Sequence, residues 1–225
     1  GAPEGVCGRS GGRECVPRAR EWRCRVANAV FSAVDGKQRA PTLLYNRMIA
    51  PMGDIPLRGV IWYQGESNAD TSEDALRYRQ QFAAMIRQWR GQWASPELPF
   101  LWVQLANFRS GFDTPTQSPW ALLRESQSAV LALPFTAQVT TIDIGTPADI
   151  HPTNKQDVAH RLALAARHVA YRESLVYSPP VFKGVHFAGN EAHVRFDRGA
   201  VLSVRGGGDR AGGFALAGAD RGFHP

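Results

Sequence analysis

From Pro41 onward the chain alternates short apolar runs with longer stretches in which apolar residues recur every three or four positions. Residues 57–63 (LRGVIWY) form a compact apolar run that ends in Gln64-Gly65, the pattern of a buried parallel strand. Thr71-Ser72-Glu73-Asp74 then offers helix-capping side chains. Tyr78, Phe82, Met85, Ile86, Trp89 and Trp93 follow at helical spacing, which predicts an amphipathic helix over 74–93. The alternation repeats, with a strand at 99–105 (PFLWVQL), a helix at 120–131 and a strand at 137–142 (AQVTTI). Asn154, with Asp157 three residues on, supplies a partial capping box for a third helix faced by Val158, Leu162, Ala165, Ala166 and Val169. Three strand–helix repeats predict an α/β fold, a parallel sheet with helices on both faces.

After Tyr171 the pattern switches. Residues 175–187 and 192–196 read as strands, broken by Pro179-Pro180 and Gly189-Asn190, and 206–213 is glycine-rich. This predicts the start of a separate small β region. Residues 1–38 show no sustained period apart from a short run at 26–34. The expected organisation is therefore an irregular segment over 1–40, an α/β domain over 41–173 and a β region over 174–225.

Composition narrows the function classes. Hydrophobic residues at 44% and charged residues at 20% are ordinary for a globular protein. No run of about 18 apolar residues predicts a membrane-spanning helix, and the Gly/Arg-rich first residues hold no apolar stretch of signal-peptide type. The net charge of +6 is concentrated: residues 1–40 hold eight Lys+Arg against four acids, and so carry +4 of it. Nucleic-acid binding needs a basic face on a folded element, with groups that read or stack on bases. The pattern offers none. Cys7, Cys15 and Cys24 fit no zinc spacing, and an odd number in so short a window makes no disulfide framework.

In an open α/β sheet, ligands bind outside the carboxyl ends of the strands, so the residues after each strand are the candidates for chemistry. Gln64-Gly65-Glu66-Ser67-Asn68 follows the first. Asn107 and a long loop with Arg109, Asp113 and Pro115 follow the second. Asp143-Ile144-Gly145, leading to Asp149-Ile150-His151-Pro152, follows the third. An acid beside a histidine can hold the imidazole in one tautomer and stabilise the imidazolium. Pro152 keeps His151 extended ahead of the third helix. The block after the first strand admits two readings. Gly65 can turn the chain while the Gln64 amide donates to a developing oxyanion, or Gly65-Glu66-Ser67-Asn68-Ala69 can be a nucleophile elbow around Ser67. Against the elbow, the motif ends in alanine, the helix starts late, and an acid two residues from its histidine is unusual there. Trp89 and Trp93 belong to the apolar stripe, and His186 and His193 have no ligand spacing.

The strings Leu44-Tyr45-Asn46-Arg47-Met48-Ile49-Ala50-Pro51, Gly59-Val60-Ile61-Trp62-Tyr63-Gln64-Gly65-Glu66-Ser67-Asn68 and Val103-Gln104-Leu105-Ala106-Asn107-Phe108 closely resemble the sialate O-acetylesterase family. So does the stretch from Thr141 through His151 to Asp157, and the similarity runs from about 41 to 223. The family belongs to the SGNH hydrolases, so the resemblance implies a flavodoxin-like three-layer sandwich and a Ser/His esterase acting on O-acetylated sugars. It implies no metal or organic cofactor, no nucleic-acid or membrane partner, and a secreted or periplasmic full-length protein. It makes His151 the general base and Gln64 the oxyanion residue, with Gly65, Glu66 and Asn68 shaping the same wall. Asp149 becomes the orienting acid, with Asp143 as fallback, since the superfamily places its acid three residues before the histidine, where Ala148 stands. The family's Gly-Gln-Ser-Asn nucleophile block has no counterpart; Ser10 and Ser32 are poorly placed for it. The chain is thus expected to be a fragment lacking its nucleophile, or to carry over 1–38 a sequence that is not the family's own. Either way it is expected to be inactive by itself, with a carbohydrate-binding derivative as the non-catalytic alternative.

Overall fold

The computed structural model of the chain describes residues 13–14, 25–26, 42–108, 118–197, 212, 214–219 and 222–224. Cys7, Cys15, Cys24, Ser10, Ser32, Arg109, Asp113, Pro115 and most of the glycine-rich 206–213 stretch lie outside them. The chain divides into two compact units, Gly1–Pro56 and Leu57–Pro225. In the first, a two-residue ladder pairs Arg13–Glu14 with Arg25–Val26, and a π-helical turn over Tyr45–Ile49 runs into a 3-10 turn over Ala50–Met52.

The second unit holds the predicted sheet. Strands β1 (Val60–Trp62), β2 (Phe100–Val103) and β3 (Thr136–Val139) pair in parallel in that order, with Val60 opposite Phe100 and Phe100 opposite Thr136. Helices α1 (Ser72–Gln92) and α2 (Pro119–Ala129) make the two crossovers, and α3 (Lys155–Val169) follows β3. Because side chains alternate along a strand, β2 sends Phe100 and Trp102 into a core with Tyr78, Phe82, Ile86 and Leu123. Its other face sends Leu101 and Val103 into a second core with Val158, Leu162 and Ala165. Helices thus cover both faces of the central strand, and the α/β expectation holds. All four β2 residues are buried, which is why that segment reads as an unbroken apolar run. Full burial of Phe100 alone contributes roughly 1.5–3 kcal/mol.

The strands are shorter than the apolar runs that announce them, and the reason is visible in the ladder. Val60 N–H donates to Pro99 O, so odd-numbered residues of β2 turn their backbone groups toward β1. The register with β1 ends at Trp62 opposite Trp102, so no β1 residue meets the Val103 carbonyl or the Leu105 N–H. The fully buried Gln127 of α2 does: its Nε2 donates to Val103 O at 3.4 Å, and its Oε1 accepts from Leu105 N–H at 3.0 Å. One side chain therefore ends the β1–β2 pairing and lets the two chains diverge.

Helix ends follow the sequence. Thr71 caps α1, its hydroxyl accepting from Asp74 N–H at 3.1 Å, and Asn154 caps α3 by accepting from Asp157 N–H at 3.1 Å. Beyond α3, strands β4 (Phe182–Ala188) and β5 (Glu191–Phe196) form an antiparallel hairpin turning at Gly189-Asn190, with Gly189 at φ 61°. The first of these strands starts after Pro179-Pro180, since proline cannot donate to a ladder. Short strands β6 (Leu216–Ala217) and β7 (Phe223–His224) also pair antiparallel. Among the described residues no helix is long and apolar enough to cross a membrane.

Candidate active site

The turn off β1 depends on glycine. Gly65 has φ 153° and ψ −13°, and a Cβ there would lie 2.8 Å from Leu123 Cδ2. With no side chain the backbone can seat against α2 and enter a 3-10 turn over Glu66–Asn68, closed by Asn68 N–H to Gly65 O at 2.9 Å. Ser67 sits exposed in that turn, and its φ is not positive. The strained strand-to-helix turn that an elbow nucleophile needs is absent, and α1 begins only at Ser72.

Gln64 is the most constrained residue of the block. Its Nε2 donates to Asn68 Oδ1 at 2.9 Å. The hydroxyl of Tyr78 lies 3.1 Å from both its Oε1 and its backbone carbonyl, and Gln127 Nε2 also donates to that carbonyl at 3.3 Å. Tyr78 in turn accepts from the Trp62 indole N–H at 3.2 Å. Burial is the main reason its hydroxyl pKa is pushed up to about 12, with the Glu66 carboxylate adding to the rise.

Tyr63, the next residue along β1, is linked to the loop after β3. Its hydroxyl bonds the Thr141 side chain, and Thr141 donates to Gln104 O at 2.6 Å. Burial, with a smaller push from Glu66, raises the Tyr63 pKa. Lys155 Nζ stands 5.4 Å above its ring. The loops after β2 and β3 also meet closely. A Cβ on Gly145 would fall 2.5 Å from Asn107 O and 2.3 Å from Asn107 Oδ1, so only glycine fits. The buried Asn107 Oδ1 has no hydrogen-bond partner among the described residues.

The two candidate acids have different surroundings. Asp143 is held by Arg161 through two 2.7 Å bonds, and Arg161 also donates to Thr140 O. The Asp149 carboxylate accepts His151 N–H at 2.8 Å and lies 3.4 Å from His151 Nδ1. The His151 side chain is 87% exposed, which leaves the ring open to solvent on its other edge. Neighbouring residues anchor the loop: Ile150 packs on the core that contains Tyr78, Leu105 and Leu123, and Pro152 is buried. No hydrogen bond joins His151 to Gln64, Glu66, Ser67 or Asn68 among the described residues.

Two residues of this site escaped the sequence reading. Tyr78 reads as one apolar position of α1, although its hydroxyl serves Gln64. Gln127 was not singled out; the available signal is a polar residue on the inward stripe of α2, four after Leu123 and three before Val130.

A family model described as carbohydrate esterase, sialic acid-specific acetylesterase, matches residues 27–168. A sialate O-acetylesterase of Mus musculus is 32% identical over 207 residues, covering 82% of this chain and 38% of that protein. The Homo sapiens sialate O-acetylesterase is 35% identical over 169 residues, covering 67% of this chain and 31% of its own length. The chain thus spans well under half of these relatives. A crystal structure of a carbohydrate acetylesterase from Xanthomonas citri is 64% identical with a TM-score of 0.79, covering 85% of this chain and 44% of that one.

Proposed function

The chain belongs to the sialic acid-specific acetylesterase family of carbohydrate esterases, and from that premise we propose that it carries the histidine and oxyanion side of an active site hydrolysing O-acetyl esters on sugars. A seryl Oγ supplied from outside the described residues attacks the acetyl carbonyl and passes its proton to His151. Gln64 Nε2–H and backbone N–H groups hold the oxyanion. The imidazolium then protonates the departing sugar oxygen. In the second step His151 takes a proton from water as the water oxygen attacks the acyl carbonyl, the imidazolium returns that proton to the departing serine Oγ, and acetate leaves. This chemistry calls for no metal or organic cofactor.

One observation carries the reading: the Asp149 carboxylate sits beside His151 Nδ1 at 3.4 Å while the rest of the ring faces solvent. A carboxylate there steadies the imidazolium formed when the other nitrogen accepts a proton. Asp143 is a weaker candidate, because its carboxylate is already claimed by Arg161. The experiment is turnover of p-nitrophenyl acetate by this chain and by the longest form of the protein. Turnover by neither, together with equilibrium binding of acetylated sugars, would replace the esterase with a carbohydrate-binding derivative. The preferred sugar, with sialic acid first to test, and export of the full-length protein to the periplasm or outside belong to the same proposal.

A further inference from the structure

A glutamine serving as oxyanion donor faces a difficulty of shape. Its amide is nearly symmetric, so a half-turn about the last bond would place a carbonyl oxygen where an N–H is required. Something must fix which way round it stands. We infer that Trp62, Tyr78 and Gln127 form a hydrogen-bonded relay that sets the orientation of the Gln64 amide, making Tyr78 a positioning residue for the oxyanion donor; this rests on the role given to Gln64 above.

The relay starts from two groups that can only donate. The Leu105 backbone N–H donates to Gln127 Oε1 at 3.0 Å, which settles the Gln127 amide with Nε2 on its other side. That Nε2 has two protons for three neighbouring oxygens, Gln64 O and Val103 O and the Tyr78 hydroxyl. The Trp62 indole N–H donates to the same hydroxyl at 3.2 Å. A phenol oxygen has two lone pairs: the indole takes one, and the Gln127 amide shares its two protons between the other and the two carbonyls.

Tyr78 therefore has only its proton left to offer. That proton points between two Gln64 oxygens, the backbone carbonyl and the side-chain Oε1, each 3.1 Å away, so the side-chain atom turned toward the hydroxyl is the acceptor. Nε2 is forced to the opposite side, where one N–H goes to Asn68 Oδ1 at 2.9 Å and the other has no partner among the described residues. That second N–H is the one an oxyanion would take. Because the Tyr78 pKa is pushed up to about 12, the phenol keeps the proton on which the relay depends at any pH where an acetyl ester survives. The orientation is inherited from an indole and a backbone amide, neither of which can reverse.

The test reads the orientation directly by NMR on this chain, labelled with 15N at glutamine side chains. The Gln64 amide signals are assigned by their loss in Gln64→Leu. In the wild type, nuclear Overhauser contacts should run from the Gln64 amide protons to Asn68 and not to the Tyr78 ring. Amide protons facing the Tyr78 ring in the wild type would overturn the inference without any variant. In Tyr78→Phe, contacts to both sides should appear; unchanged contacts with an intact backbone spectrum would also overturn it. If Tyr78→Phe fails to fold, Trp62→Phe carries the same expectation. In the longest form that releases acetate, Tyr78→Phe should lower kcat about tenfold with KM changed less than twofold. Loss of the Gln64 amide without effect on kcat would refute the oxyanion role itself, a result separate from the NMR outcome.

Discussion

Arg161 grips Asp143 through two parallel 2.7 Å hydrogen bonds, leaving Asp149 as the carboxylate beside the His151 ring. The pair gives the two acids opposite signatures. Asp149→Asn should lower kcat by at least about a hundredfold in a form that releases acetate, with little change in stability. Asp143→Asn should leave kcat within a few fold and cost at most about 1 kcal/mol, because both partners are partly exposed to solvent. Steady-state kinetics and urea unfolding of the two variants, side by side, would expose a reversed assignment.

Gln127 is the residue whose removal should hurt the fold most for its size. Gln127→Leu keeps an apolar side chain of similar length but leaves Val103 O, Leu105 N–H and Gln64 O without that partner. Buried backbone groups stripped of a partner cost about 1–3 kcal/mol each, partly relieved by relaxation. A loss of about 2–4 kcal/mol in chemical denaturation is expected, and a loss below about 0.5 kcal/mol would mean that Gln127 does not end the β1–β2 ladder.

Alkali should destabilise the protein through Tyr78. Its hydroxyl pKa is raised from the ordinary 10.0 to about 12, chiefly by burial. Between those values the unfolded chain releases a proton that the folded chain retains. Folding is therefore progressively weakened as pH rises through that window, by about 2–3 kcal/mol in all, and the contribution is intact below pH 10. Urea midpoints of wild type and Tyr78→Phe between pH 9 and 12 check this. The wild type should fall more steeply, and parallel curves would contradict the placement.

Much of this architecture is legible in the sequence because a single physical cause dominates each legible piece. The 99–105 run announces β2 because both of its faces are buried, and Thr71 and Asn154 announce helix starts because free N–H groups there need acceptors. His151 and Gln64 stand out as polar groups at the carboxyl ends of strands. Gln127 and the hydroxyl role of Tyr78 are not legible in that way. Both lie on helix faces that periodicity marks as core, and their polar work depends on where β1 and β2 part, a tertiary fact. The pairing of Asp143 with Arg161, eighteen residues downstream, is equally tertiary, and no spacing in the sequence announces it.

Ser67 separates the account from a hydrolase built on an elbow serine. It lies in the Glu66–Asn68 turn without the strained backbone of such a nucleophile. Ser67→Ala should therefore keep at least about a tenth of the wild-type kcat, whereas loss of a true nucleophile typically removes more than a thousandfold.

The measurement that bears most directly on the central claim is the rate of acetate release from p-nitrophenyl acetate by the longest active form of the protein, compared with its His151→Ala variant. The account predicts a fall in kcat of at least about a thousandfold with the fold intact by circular dichroism. A variant that keeps its turnover within about tenfold of wild type would contradict it, and the general base would then have to be sought elsewhere.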